Sequence, residues 1–269
     1  MHRSDLVILA ARTSMGKTAM AVNIACNAAK NGKSVGFFSL EMAKEQLASR
    51  VLAGESGIPA DWVRRADLNQ EHFAKLLEAK RLTDGLPLHI DDEPGLSVAA
   101  MHARARRLKR QHGLDLIVTD YLQLAQAPRP EGRSEQNRVQ EVSEITRALK
   151  RLARDLDIPV LALSQLSRAV EQREDKRPLL VDLRESGAIE QDADVVMFLF
   201  REEYYLHEPD PSDAAKWTEW RDKCSAVHNK AELIIAKNRH GATTTVQLRF
   251  DQETTQFSNL ARGFVHTAL

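Results

Sequence analysis

Gly16-Lys17-Thr18 stands one short turn after an unbroken apolar run, Leu6 to Ala11, and directly before TAMAVNIACNAAK, whose apolar spacing is that of a helix. Strand, turn, Gly-Lys-Thr and helix together make a phosphate-binding loop. The residue types suit that task. Backbone N–H groups from Ser14, Met15, Gly16, Lys17, Thr18 and Ala19, with the positive end of the helix, wrap phosphate oxygens. The Lys17 ammonium neutralises the β and γ oxygens, and the Thr18 hydroxyl ligates Mg²⁺. Ala11 stands where the pattern GxxxxGK[ST] has its first glycine, which alanine permits only if the backbone there avoids positive φ. Asp120 ends the run LDLIVTD and is placed to hold a Mg²⁺ shell, although a strand-ending aspartate also serves as a turn cap. Glu41 closes FFSLEM, where it can take a proton from an attacking water or simply open the next helix. Gln165 ends LALSQ, where its amide can contact a γ-phosphate and report its loss. Four polar groups at four strand ends describe the hydrolysis of a nucleoside triphosphate.

Those groups need elements to bring them together. Apolar runs of strand length recur with helical stretches between them: residues 6–11, 34–40, 86–92, 114–120, 158–165 and 194–200. Their apolarity is continuous rather than alternating, which predicts strands covered on both faces and hence a mostly parallel α/β sheet flanked by helices. Two later runs, 231–237 and 243–250, flank a His-Gly turn and predict a C-terminal antiparallel hairpin added at the sheet edge. Helices are predicted over 43–54, 69–82, 97–112 with Ser97 as N-cap, and 136–156. Residues 125–135 and 206–230 read as loops, the second an insertion whose Trp217 and Trp220 cover a small satellite core.

With 38 Lys+Arg against 38 Asp+Glu, the chain has no global electrostatic pull on nucleic acid, so any such binding must be local. Cys26 and Cys224 make neither a disulfide framework nor a zinc spacing, as expected in a reducing cytoplasm, and Cys26 reads as a small apolar residue of the loop helix. No stretch approaches the ~18 apolar residues of a membrane span, so a cytoplasmic protein without a membrane partner is expected. The 269 residues are expected to form a single domain, 1–269, whose first strand begins almost at Met1, with no domain expected before it.

The series SMGKT, FFSLEM, DYLQL, ALSQLSRAVEQREDKRP and DLRESGAIEQDADVVMFLFR resembles the C-terminal ATPase domain of bacterial replicative DNA helicases, the DnaB family, over essentially residues 1 to 260. The resemblance implies a RecA-like P-loop NTPase that uses ATP and Mg²⁺. It assigns hydrolysis to Lys17, Thr18, Glu41 and Asp120 and maps the family's SQL glutamine onto Gln165. Members of that family often carry alanine at the Ala11 position. Each nucleotide site there is completed by the neighbouring subunit, which makes Lys237 and Arg239 of KNRHG the lysine and arginine finger, the latter typically worth ~10³–10⁵ in rate. Without the resemblance both read as edge-strand charges that discourage pairing. Just afterwards Ala242-Thr243-Thr244 replaces a stretch where the family often has proline and glycine.

The family threads single-stranded DNA through a homo-hexamer and grips its phosphates, which the resemblance assigns to Arg184, Glu185 and Gly187 of RESG. Arg129, Arg133 and Arg138 are a second set for the channel. The densest basic run, Arg104, Arg106, Arg107, Lys109 and Arg110, reads first as a solvated helix face. Tyr204 and Tyr205 are the clustered aromatics that could stack on bases. The resemblance implies that full-length members add a helical N-terminal domain and a linker, both expected to be absent here, and meet a primase and a helicase loader. The chain therefore reads as an excised motor domain with weak or concentration-dependent self-association. A recombinase of the same fold and a nucleotide-gated scaffold are the alternatives, separable by strand exchange and by stimulation with DNA.

Overall fold

A computed structural model describes residues 1–120, 135–183, 187–210 and 213–260. Nine strands in these residues form one sheet, ordered β3-β2-β4-β5-β1-β6-β7-β8-β9. Strands β1 (Leu6–Ala11), β2 (Val35–Ser39), β3 (Leu88–Asp91), β4 (Leu116–Asp120), β5 (Val160–Gln165) and β6 (Val195–Phe200) run parallel. Continuous apolar runs demanded cover on both faces, and they have it. Leu6, Ile8 and Ala10 face one buried cluster with residues of α5 (Val98–His112) and α6 (Glu135–Leu156). Val7, Leu9 and Ala11 face another with α1 (Lys17–Lys30) and Leu47 of α2 (Lys44–Ser56). Crossover helices of this kind return each strand in the same direction, so β1, β2, β4 and β5 end at one edge.

The expected hairpin is β7 (Lys230–Asn238) with β8 (Thr244–Asp251), antiparallel to each other and to β6. A short β9 (Gln256–Asn259) extends it, a strand that no periodicity announced. Ser97 caps α5 as expected, accepting from the Ala100 N–H at 3.2 Å, and α4 (Gln70–Thr83) opens with Asn69 as its cap. Short helices α3 (Ala60–Arg65) and α7 (Gly187–Asp192) fall where none was predicted.

The 206–230 segment is not the loop expected. Ala214–Val227 is a helix, α8, capped by Asp213, and Trp217 and Trp220 meet edge-to-face on it with ring centroids 5.1 Å apart. Prolines 209 and 211 masked it: they end what precedes them, while the half-buried stripe Trp217, Trp220, Cys224 and Val227 keeps helical spacing. No helix of the described residues is long and apolar enough to cross a membrane.

Candidate active site

β1 leads straight into the phosphate-loop residues. Ala11 is the last strand residue, buried and without positive φ, so its methyl meets no backbone penalty. The left-handed turns fall later, at Ser14 (φ 64°) and Gly16 (φ 95°). Gly16 begins α1 with no side-chain cap, which leaves the first-turn N–H groups facing outward for an anion. A Cβ on Gly16 would also stand 3.1 Å from the Phe257 ring.

Beside this turn, the Thr18 hydroxyl donates to Asp120 Oδ2 at 2.7 Å, and Lys17 Nζ lies 3.9 Å from Asp120 Oδ1. Asp120 is fully buried, and its Oδ1 has no hydrogen-bond partner. Burial pulls the Lys17 ammonium below the usual lysine range, with Asp120 and Glu41 opposing that pull. A desolvated cation, a hydroxyl and an orphaned carboxylate oxygen at a helix N-terminus fit a phosphate group carrying Mg²⁺.

Glu41 lies just beyond β2, its turn fixed by Ser39, whose hydroxyl donates to the Met42 carbonyl at 2.6 Å and accepts from the Met42 N–H at 3.2 Å. Gln165, at the end of β5, donates from Nε2 to Thr13 Oγ1 at 2.9 Å. Thr13, Lys17, Thr18, Glu41 and Gln165 line one cavity of 390 Å³.

The same cavity holds residues that sequence reasoning missed. Arg50 of α2 lines it, lowered by burial while Asp120 and Glu41 raise it. The available signal was a charge on the inner stripe of α2, between buried Leu47 and Ala53. Arg201 follows β6, is 5% exposed, and lies over the Phe250 ring at 4.4 Å; both residues line the cavity. Nothing in the sequence ties Arg201 to Phe250, because β7 and β8 bring the ring back from 49 positions away.

Other expected residues lie elsewhere. Because β7 runs antiparallel to β6, its end returns to the start of β1. There the Arg239 N–H donates to the Asp194 carbonyl at 2.8 Å, and Asp194 Oδ2 accepts from the Leu6 N–H at 2.8 Å. Lys237 reaches the Glu190 carbonyl, and Arg239 Nη1 lies 3.4 Å from Asp194 Oδ1. Six residues of β1 separate this end from the loop, about 20 Å at ~3.3 Å per residue. Lys237 and Arg239 therefore do not serve the loop of their own chain. Arg104 is committed to Asp91 and Glu93, and Tyr205 stacks on Phe200. Arg129, Arg133, Arg184 and Glu185, and the side chain of Arg138, lie outside the described residues; Gly187 is the first residue of α7.

A family model of the DnaB-like helicase C-terminal domain matches residues 1–259. The chain belongs to that family. Within the DnaB-like family, the replicative DNA helicase DnaB of Rickettsia bellii is 51% identical over 96% of this chain and 54% of its own length. That of Geobacillus stearothermophilus is 50% identical over 98% and 54%. The chain thus spans about half the length of the curated relatives it matches. A DnaB-like replicative helicase, solved in a study of its interactions with primase, superposes with a TM-score of 0.83 at 40% identity, covering 96% of this chain and 58% of that one. A separately solved ATPase domain superposes equally well, covering 97% and 86%. These neighbours share the mostly parallel sheet with its C-terminal antiparallel strands, the RecA-like architecture of DnaB-like ATPase domains.

Proposed function

We propose that this chain is the motor domain of a replicative DNA helicase, hydrolysing ATP with Mg²⁺ at interfaces between copies and translocating on single-stranded DNA. The observation that carries it is the separation of two half-sites: loop, acid and glutamine at one edge of the sheet, Lys237 and Arg239 at the other. Such a chain is complete only beside a second copy, in a head-to-tail contact that closes into a ring. Six copies around DNA, with Arg184, Glu185, Gly187 and Arg133 toward its backbone, are part of this reading, as are cytoplasmic placement and contacts of the whole protein with a primase and a loader.

Lys17 and the first-turn N–H groups of α1 hold the β and γ phosphates. Bound between Thr18 and Asp120, Mg²⁺ would supply further neutralisation of phosphate charge. Glu41 accepts the proton of the attacking water, and Arg50 adds positive charge at the same end of the cavity. The Arg201–Phe250 pair, next to Gly16, offers a flat face for the base. Gln165 meets the γ-phosphate in place of its present partner Thr13. The neighbour's Arg239 stabilises charge on the transferring phosphoryl group.

The deciding measurement is ATP turnover per protomer against protein concentration, with and without single-stranded DNA. Turnover that rises with both, and collapses in Glu41→Gln and Arg239→Ala, is the expected result. Turnover indifferent to both would sink the reading. Light scattering should show self-association that strengthens with concentration rather than a stable hexamer at micromolar protein.

A further inference from the structure

The polar end of Gln165 is engaged before any phosphate arrives. Its Nε2 donates to the Thr13 hydroxyl at 2.9 Å, and both residues line the 390 Å³ cavity together with Lys17 and Thr18. Thr13 sits on the turn between β1 and α1, while Gln165 is the last residue of β5.

The backbone sets up this contact from both sides. β1 and β5 are parallel neighbours in which Ala11 stands opposite Gln165, so the chain leaves β1 for the phosphate loop beside the point where β5 ends. The Leu166 N–H donates to the Ala11 carbonyl at 3.1 Å, which carries the ladder one residue past Gln165. On the loop side Arg12 is 9% exposed; its Nε donates to Glu171 Oε1 at 2.8 Å and its Nη1 to the Leu166 carbonyl at 3.0 Å. The Arg12 carbonyl accepts from the Met15 N–H at 3.3 Å and closes the turn that carries Thr13. The residues flanking Thr13 and Gln165 are thus tied to one another. Rotation of the Gln165 side chain, not movement of β5, is what can break the contact. The N–H that Thr13 holds has to be released before it can donate to a phosphate oxygen.

We propose that Thr13 is a specificity-determining residue that holds Gln165 in reserve: a nucleoside triphosphate breaks the Thr13–Gln165 hydrogen bond and a diphosphate leaves it intact. The hydroxyl therefore sets how strongly the site prefers one nucleotide over the other. This rests on the reading above in which Gln165 meets the γ-phosphate. Because the bond is lost only when a γ-phosphate is present, its net contribution opposes triphosphate binding alone. For a neutral pair that amounts to about two- to tenfold in affinity.

Calorimetric titration of the whole chain in Mg²⁺, with ADP and with the non-hydrolysable triphosphate AMPPNP, reads this directly. Thr13→Val keeps the branched shape and removes the hydroxyl; Thr13→Ser keeps the hydroxyl. Thr13→Val should bind AMPPNP about two- to tenfold more tightly with its ADP affinity unchanged, and Thr13→Ser should match the wild type for both. With Gln165→Ala already present, Thr13→Val should change neither affinity, because no bond is left to remove. Weaker AMPPNP binding by Thr13→Val would overturn the proposal, since it would put the hydroxyl on the phosphate itself. Equal changes for AMPPNP and ADP would do the same, as the mark of an altered loop. The double variant separates this failure from failure of the reading beneath it. If Thr13→Val is silent but adding Gln165→Ala weakens AMPPNP binding, Gln165 meets the γ-phosphate and only the reserve is wrong. If neither substitution changes AMPPNP affinity, the γ-phosphate contact of Gln165 falls, and this inference with it.

Discussion

Mixing two inactive variants tests the split site directly. On the proposed mechanism, Glu41→Gln removes the base from a chain whose Arg239 is intact, and Arg239→Ala removes the finger from a chain whose loop is intact. Within one chain the two halves lie at opposite ends of β1, six residues long, so about 20 Å of sheet separates them. No arginine side chain spans that. If each site is built from two copies, a site is whole only when an Arg239→Ala chain supplies the loop and a Glu41→Gln chain supplies the finger. Random assembly at equal concentrations makes about one interface in four whole. Arg239→Ala alone should fall by about 10³-fold or more, since a finger is typically worth that much, and Glu41→Gln by about 10²–10⁴-fold, the usual contribution of a general base. Coupled ATPase assays across mixing ratios should then trace a bell with its maximum, about a quarter of wild type, at the equimolar point. Two inactive parents that give no activity at any ratio would refute the composite site, as would an Arg239→Ala chain that is fully active by itself.

Asp194 is predicted to carry acid-side stability. Burial pushes its carboxyl up, but the Lys150 ammonium, the Leu6 N–H and Arg239 outweigh that and hold it below the usual aspartate range. A depressed folded value means stability that is present above about pH 4 and lost as pH falls through that value. Asp194→Asn should therefore cost about 2–3 kcal/mol at pH 7, because it leaves the mostly buried Lys150 ammonium with only the Ser4 carbonyl for a partner among the described residues, and should flatten the acid limb of melting temperature against pH. An unchanged limb would refute the assignment. Arg50→Ala should lower turnover about 10²–10³-fold with the melting temperature little changed; wild-type turnover would remove Arg50 from the site. Cys26 is 5% exposed, and burial pushes its thiol up to about 11, so at pH 8 only about one in a thousand is thiolate. Native protein should expose one fast thiol to Ellman's reagent, from Cys224, and two after denaturation; two fast thiols in the native protein would contradict the burial.

The legible parts of the fold were those with unbroken local patterns. The eight strand-length runs all became strands; for β1, β2, β4, β5 and β6 this is because a β-strand buried on both faces must be apolar throughout, while β7 and β8, half-buried to exposed, were marked as a pair by the turn between them. β9 escaped because its four residues QFSN carry no pattern. It forms because Phe257 packs against Phe250, ring centroids 4.4 Å apart, and because the Phe257 N–H donates to Asn23 Oδ1 at 2.6 Å. Both are tertiary contacts. α8 was hidden by its flanking prolines, and Arg50 and Arg201 by having no fixed spacing from the loop they line.

The chain's own order of residues determined that Gly16-Lys17-Thr18, after a buried strand, presents a lysine and a helix N-terminus together, since neighbours in sequence are neighbours in space. It also determined that Asp120 and Gln165 would end strands and that Glu41 would stand just after one. Only the tertiary structure decided that Glu41 and Gln165 share one cavity with the loop and that Asp120 stands beside it, because the crossovers keep β1, β2, β4 and β5 parallel and so bring Thr18 within 2.7 Å of Asp120 across 102 positions. The tertiary structure alone also decided where Lys237 and Arg239 went. The antiparallel return of β7 reverses the chain and delivers them to the opposite edge, where their own phosphate loop is out of reach.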